Sequence, residues 1–170
     1  SMMGAIMARG APRGIGFSHL IGTGNEADLT ASEIAGMLVE DPGVDAVLLF
    51  LEAIRAPEKL AAAARRAHAL GKPIIAYKLG RSSFGAELAG SHTGALAGSD
   101  AAADAFFRAN GIARVTMIEA LLEAPALFIG RKPLAAPRRT ISVMTTTGGG
   151  GAMAVDALGP SRVHAVMSVS

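Results

Sequence analysis

Apolar residues in this chain fall into short unbroken runs, and the stretches between them have helical spacing. Residues 45–51 (DAVLLFL) and 73–79 (PIIAYKL) hardly alternate in polarity. Each therefore predicts a strand covered on both faces, the mark of a parallel sheet. Further strands are predicted at 14–22 (GIGFSHLIG), 112–116, 140–146 and 163–169. Thr30 and Glu33 form a capping box ahead of Ile34, Met37 and Leu38, which share one helical face. Asp41-Pro42 should end that helix, because the residue before a proline avoids the helical region. Residues 57–70 begin on Pro57 and close with Arg65, Arg66 and His68 before Gly71, the asymmetry of a complete helix. Ser99 opens a helix to about Asn110, which Gly111 stops, and 117–128 is a helix that Pro125 interrupts. A last helix is predicted at 152–158. Strand and helix thus alternate, which predicts a right-handed, doubly wound open sheet of the α/β class.

The alternation divides the chain. Residues 1–129 form one α/β domain. Residues 130–139 hold two prolines and four basic residues and read as a linker. Residues 140–170 begin a second α/β unit, too short to bury a core alone and expected to lean on the first.

Composition narrows the function. Of the 170 residues, 51% are hydrophobic and 18% charged, enough apolar content for a packed core. Aromatic residues make up 4%, which leaves no stacking platform for nucleic acid. A net charge of +2 gives no electrostatic footprint for DNA or an anionic membrane. The lack of cysteine excludes disulfides, thiolate metal sites and a cysteine nucleophile. No His/Asp/Glu spacing resembles a metal site, and no apolar run approaches the ~20 residues of a membrane span. Ser1-Met2-Met3 reads as a tag remnant and not as a secretory leader. The expectation is a cytoplasmic protein with neither nucleic acid nor membrane as partner.

In open α/β sheets, ligands gather at the carboxyl ends of the strands. Three segments there carry unusual residues. Glu52 follows an apolar strand directly. Residues 80–98 form a long Gly/Ser-rich loop centred on Ser91-His92-Thr93-Gly94, with Gly90, Gly94 and Gly98 able to bring backbone close to a ligand. Thr147 precedes Gly148, Gly149, Gly150 and Gly151 and then a helix, a shape whose amides suit phosphate. A neutral imidazole can accept a phosphoryl group on one nitrogen. A carboxylate on the other nitrogen would fix its tautomer and stabilise positive charge on the ring. Glu52 is the candidate for that role and Glu87 the runner-up. Each residue also has a plain reading: a turn-capping histidine, a helix-entry glutamate, a flexible glycine turn. Lys78 and Arg81 read as solvated charges, His19 as a strand side chain, and His68 as a favourable charge at a helix end. His164 has no partner cluster.

Taken in order, the motifs resemble a family. Gly14-Ile15-Gly16-Phe17-Ser18, Gly24-Asn25-Glu26-Ala27-Asp28, Leu49-Phe50-Leu51-Glu52, Lys78-Leu79-Gly80-Arg81-Ser82 and the SHTGALAG string at 91–98 are similar to the acyl-CoA synthetases that form a nucleoside diphosphate. These are relatives of succinyl-CoA synthetase, and the resemblance runs from about residue 4 to 129. It implies a flavodoxin-like ligase domain followed by the start of a second ligase domain. It implies a reaction that converts acid and ATP to an acyl phosphate, exchanges this for a CoA thioester, and passes the phosphoryl group through a histidine. His92 matches the phosphohistidine and Glu52 the glutamate that orients it. Gly94 and the glycines 148–151 match phosphate-binding positions, although Thr146-Thr147 stand where the family often has Asn. Gly24 and Asn25 would border the acyl site.

A small carboxylic acid, CoA and ATP with Mg²⁺ are implied as substrates of the full-length enzyme, none held tightly by this chain. CoA-binding and ATP-grasp domains are implied beyond its ends, so the chain alone is not expected to complete the reaction. A homodimer is compatible with how such domains assemble. The alternative is a regulatory role, since the same domains also occur fused to a protein acetyltransferase.

Overall fold

The computed structural model describes residues 2–82, 99–131, 139–145, 147–158 and 163–169. Glu87, His92 and Gly94, and most of the expected linker, lie outside the described residues. The chain divides into two compact units, Ser1–Lys132 and Pro133–Ser170.

In the first unit the elements are α1 (Met2–Gly10), a 3-10 turn (Ala11–Arg13), α2 (Ala31–Glu40), β1 (Val47–Leu51) and α3 (Pro57–Ala69). β2 (Ile74–Lys78), α4 (Asp100–Ala109), β3 (Ala113–Val115), α5 (Ile118–Glu123) and α6 (Pro125–Phe128) follow among the described residues. The sheet is parallel in the order β1-β2-β3. Side chains alternate across it. Val47, Leu49, Leu51, Ile74 and Ala76 pack with α2, α3 and α4, through Val39, Leu60 and Phe107 among others. Leu48, Phe50, Ile75 and Tyr77 pack on the other face with Leu121 and Ala124. Phe50 and Tyr77 stack there with ring centroids 5.3 Å apart. Both faces are covered, which explains why the strand sequences do not alternate.

The capping box forms as its sequence predicts. Glu33 N–H donates to Thr30 Oγ1 at 3.2 Å, and Thr30 N–H donates to Glu33 Oε2 at 2.9 Å. Glu33 also receives Lys59 Nζ at 2.6 Å, and Arg66 grips Glu40, so two ion pairs tie α2 to α3.

Three expectations are corrected. The predicted strand at 14–22 is irregular backbone. Gly14 turns left-handed after the 3-10 turn, and the Phe17 ring folds back over Gly10 of α1, where a Cβ would stand 2.6 Å from it. The Phe17 ring is thus taken up by α1, while Leu20 and Ile21 are exposed and His19 is an exposed loop side chain 3.7 Å from Asp41. On α2 the buried face is Ser32, Ala35 and Val39, while Met37 is 59% exposed. Small side chains face inward because α2 packs closely on the alanine face of α3 (Ala63, Ala64 and Ala67). Ser99 stands at the start of α4, but its hydroxyl makes no capping bond.

The second unit is a parallel pair, β4 (Arg139–Thr145) and β5 (Val163–Val169), with α7 (Gly148–Leu158) as its crossover. α7 begins at Gly148, four residues before the predicted start, because Thr147 supplies a cap.

Two measurements test this account. Phe107 is fully buried, so Phe107→Ala is expected to lower the unfolding free energy by about 3–5 kcal/mol in a denaturant titration. Hydrogen bonds from Lys59 and then Thr30 lower the Glu33 pKa from 4.5 to about 2. A lowered carboxylate pKa contributes stability that is present above the unfolded value and lost as pH falls through the folded one. Stability is therefore expected to drop between pH 4.5 and about 2, and Glu33→Gln to flatten that part of a stability–pH curve.

Candidate functional site

The strands β1 and β2 end side by side. Leu51 is in register with Lys78, and Leu79 N–H donates to the Leu51 carbonyl at 2.8 Å. Glu52 therefore leaves the sheet next to Leu79, half-buried, at the carboxyl edge where ligands collect in such sheets. The turn that carries it is held from two sides. Ser32 Oγ donates to the Arg55 carbonyl, and Arg55 Nε pairs with Glu26 Oε2 at 3.5 Å. Glu26 also accepts from Ala31 N–H at 3.2 Å. Both Glu26 (φ 56°) and Ala56 (φ 49°) adopt left-handed backbone, an uncommon conformation for residues with a side chain. The loop containing Gly24 and Asn25 is in this way fastened to the turn containing Glu52, while Gly24 and Asn25 themselves are exposed.

Lys78 departs from expectation. It is 2% exposed, not solvated. In β2 it shares a face with Ile74 and Ala76, both in the core. The two-residue period of a strand carries this information, and the polar identity of the side chain masks it. Burial pushes the ammonium pKa down. Lys78 lines a cavity of 290 Å³ together with Ala53, Ile54, Ser99, Ala103 and Phe106. Beside it, Arg114 of β3 bonds Asp100 and reaches Asp104 at 3.3 Å, with its guanidinium 5.9 Å from the Phe107 ring centroid. The spacing of Asp100 and Asp104, one helical turn apart, is the sequence signal for this cluster. Arg81 is exposed, as expected, and His68 sits in the last turn of α3. A larger cavity, 390 Å³, lies against β1 beneath residues 15–23; Glu52 and Lys78 do not line it, and its walls are largely aliphatic. Among the described residues there is no cluster of His, Asp and Glu that could hold a metal ion.

In the second unit the four glycines are the first turn of α7. Gly150 N–H donates to Thr147 Oγ1 at 3.1 Å and Gly151 N–H to the Thr147 carbonyl at 3.2 Å. Thr145 Oγ1 braces Thr147 by accepting its N–H at 3.1 Å and donating to its carbonyl at 3.0 Å. Among the described residues the amides of Gly148 and Gly149 make no hydrogen bond, as is usual for the first amides of a helix.

A parallel sheet covered on both faces, with charged residues gathered at its carboxyl edge, makes the first unit a flavodoxin-like α/β domain. The family described as "Succinyl-CoA ligase like flavodoxin domain" matches residues 1–128, and the chain belongs to it. Its relatives include ADP-forming acetate–CoA ligase I of Archaeoglobus fulgidus, 33% identical over 90% of this chain and 22% of that protein. The alpha subunit of ADP-forming acetate–CoA ligase I of Pyrococcus furiosus is 36% identical over 88% of this chain and 32% of its own length. Among solved structures, the dinucleotide forming acetyl-coenzyme A synthetase 1 of Ca. Korarchaeum cryptofilum, in complex with phosphate and ADP, superposes with a TM-score of 0.78. It is 29% identical over 96% of this chain and 35% of that one. The chain thus spans about a fifth to a third of the length of these relatives.

The glycine helix start is open to a direct test. A Cβ on Gly148 or Gly149 meets nothing, whereas one on Gly150 would stand 2.8 Å from Thr145 Oγ1 and 3.0 Å from Thr147 Oγ1. Gly148→Ala and Gly149→Ala are expected to raise stability by about 0.5–1 kcal/mol each, through reduced backbone entropy in the unfolded chain. Gly150→Ala is expected to lower it. Thermal melts of the three variants check the contrast.

Proposed function

We propose that this chain carries the phosphoryl-transfer histidine of a nucleoside-diphosphate-forming acyl-CoA synthetase. His92 is the residue that becomes phosphorylated, and Glu52 is the carboxylate that orients its ring. The observation that carries this reading is the placement of Glu52 at the end of β1 against Leu79, just upstream of the segment that contains His92. Membership of the family and the SHTGALAG string support it.

The chemistry needs a ring nitrogen with a free lone pair. Glu52 accepts the N–H of the other nitrogen, fixes the tautomer and stabilises the positive charge that develops. The free nitrogen attacks the phosphorus of an acyl phosphate. An N–P bond forms, the P–O bond to the acyl group breaks, and the carboxylate leaves with its electron pair. A terminal oxygen of the nucleoside diphosphate then attacks the same phosphorus. The N–P bond breaks, its pair returns to the ring, and a nucleoside triphosphate is released. The cycle runs in reverse when the acid is being activated. Splitting the exchange in two lets each transfer occur at its own site.

The amides of Gly148 and Gly149 hold phosphate at the nucleotide end, and Gly94 lets backbone approach the phosphoryl group. Gly24 and Asn25 border the acyl end, fastened there through Glu26 and Arg55. The acid, CoA and the nucleotide with Mg²⁺ are substrates of the whole protein. The CoA-binding and ATP-grasp parts are assigned to sequence outside residues 1–170.

Mixing the intact protein with ATP should place one acid-labile phosphate on His92, detected by mass spectrometry under neutral conditions. His92→Ala should abolish it. Glu52→Gln should slow its formation by roughly 10–100-fold, the usual cost of losing a carboxylate behind a functional imidazole. Full synthetase activity in His92→Ala, or phosphate located on another residue, would overturn the assignment.

A further inference from the structure

We propose that the free edge of β1 takes a further parallel strand, supplied by the stretch of the intact protein directly ahead of Ser1. The inference is independent of the histidine chemistry.

Among the described residues β1 pairs with β2 alone. Val47 N–H donates to the Pro73 carbonyl at 3.0 Å, and the Leu51 carbonyl accepts Leu79 N–H at 2.8 Å. Backbone groups of alternate residues point to alternate sides of a strand, so Val47, Leu49 and Leu51 turn theirs to β2. Leu48 and Phe50 turn theirs the other way, and among the described residues no hydrogen bond reaches them. Both residues line the 390 Å³ cavity, whose walls are largely aliphatic. Two N–H and two C=O groups facing such walls are costly unless they are bonded. An apolar ligand would leave them unmet. An extended backbone bearing apolar side chains supplies the missing bonds and fills the space together, the way a strand adds to a free sheet edge.

The opposite wall of the cavity is residues 15–23. They run alongside β1 without pairing with it, and among the described residues no amide from Gly16 to Gly22 donates to a backbone carbonyl. The Phe17 ring on Gly10 and the approach of Gly22 to Met3 hold this segment against α1, away from the edge. A strand between the two would separate them, which accounts for a segment that lies beside β1 and does not bond it.

The placement of α1 gives the direction and the source. A Cβ on Gly22 would stand 3.3 Å from Met3 Cε. Just beyond Gly22, Glu26 pairs with Arg55 in the turn that follows β1. α1 therefore starts at the carboxyl edge of the sheet, and it ends at the other edge, where Ile15 N–H donates to the Gly10 carbonyl at 3.2 Å. Met2 and Met3 themselves line the cavity. Chain that enters α1 from a strand in this slot leaves the slot at the carboxyl edge, so the strand runs parallel to β1. Strand, α1 and return then repeat the alternation of β1, α3 and β2. Sequence to supply the strand is assigned to the intact protein because this chain spans about a fifth to a third of the length of its relatives.

Amide hydrogen exchange at Leu48 and Phe50 in the intact protein tests the proposal, together with nuclear Overhauser contacts from the same two amides. Both amides should exchange at least about 1,000-fold more slowly than in a free peptide, as bonded sheet amides do. Their contacts should run to α-protons of the stretch ahead of Ser1. Proline placed at successive positions of that stretch should restore fast exchange at alternate positions only, the two-residue period of a strand, while the Ile75 amide of β2 stays slow and reports an intact ladder. Fast exchange at Leu48 and Phe50 in the unmutated intact protein would overturn the proposal, since the edge would then be open. Contacts from these amides to residues 16–22 would overturn it in favour of closure by the segment already present. Contacts seen only between differently labelled copies would assign the edge to a second chain, and protection lost on extraction of a small apolar molecule would assign it to a ligand; either result contradicts the proposal. The Overhauser contacts decide the matter even where a proline variant fails to fold.

Discussion

Everything at the candidate site depends on the five-residue parallel ladder between β1 and β2, from Val47↔Ile74 to Leu51↔Lys78. Because it ends both strands at one level, Glu52 and Leu79 leave the sheet together. Because it is covered on both faces, its register also decides which side each residue serves. A slip of β2 by one residue would carry each of its side chains to the opposite face. Lys78 would move from the cavity beside α4 to the face of Phe50 and Leu121, and Ile74 and Ala76 would leave the core. The burial of Val47, Leu49, Leu51, Ile74 and Ala76 on one side, and of Ile75 with Leu48 and Phe50 on the other, makes any other register expensive. The packing that stabilises the domain is thus the same packing that positions its charges.

Much of this was legible in the chain. Unbroken apolar runs marked β1 and β2, and the Thr30–Glu33 box and Pro57 marked the starts of α2 and α3, because each rests on local chemistry. The misreadings share a cause: a tertiary partner overrode a local pattern. The segment at 14–22 has the glycines and the apolar content of a strand, yet Phe17 spends its ring on Gly10 of α1. Met37 sits on the helical face that the sequence favours, but close contact between α2 and α3 selects the small residues Ala35 and Val39. The glycines after Thr147 looked like a turn because four in a row are poor helix formers; the threonine hydroxyls at 145 and 147 hold them in the first turn of α7. Lys78 was hidden by its charge, since a lysine at a strand end is usually solvated.

In the proposed function the two units contribute different kinds of contact. The first would offer a side-chain carboxylate, Glu52, placed by sheet register. The second offers backbone amides at a helix start kept free of Cβ atoms at Gly148 and Gly149. Side-chain carboxylates tune a ring nitrogen, whereas amides and a helix dipole hold an anion without neutralising it by proton transfer. A group that moves between sites needs both kinds of contact, tight enough to bind and weak enough to release.

The central claim is that Glu52 governs the state of the His92 ring, and nitrogen-15 spectroscopy of that imidazole in the intact protein tests it most directly. With Glu52 present, one nitrogen should carry the proton and the other a free lone pair, a single tautomer that Glu52→Gln converts to a mixture. Ring-nitrogen shifts that are the same in both proteins would contradict the account.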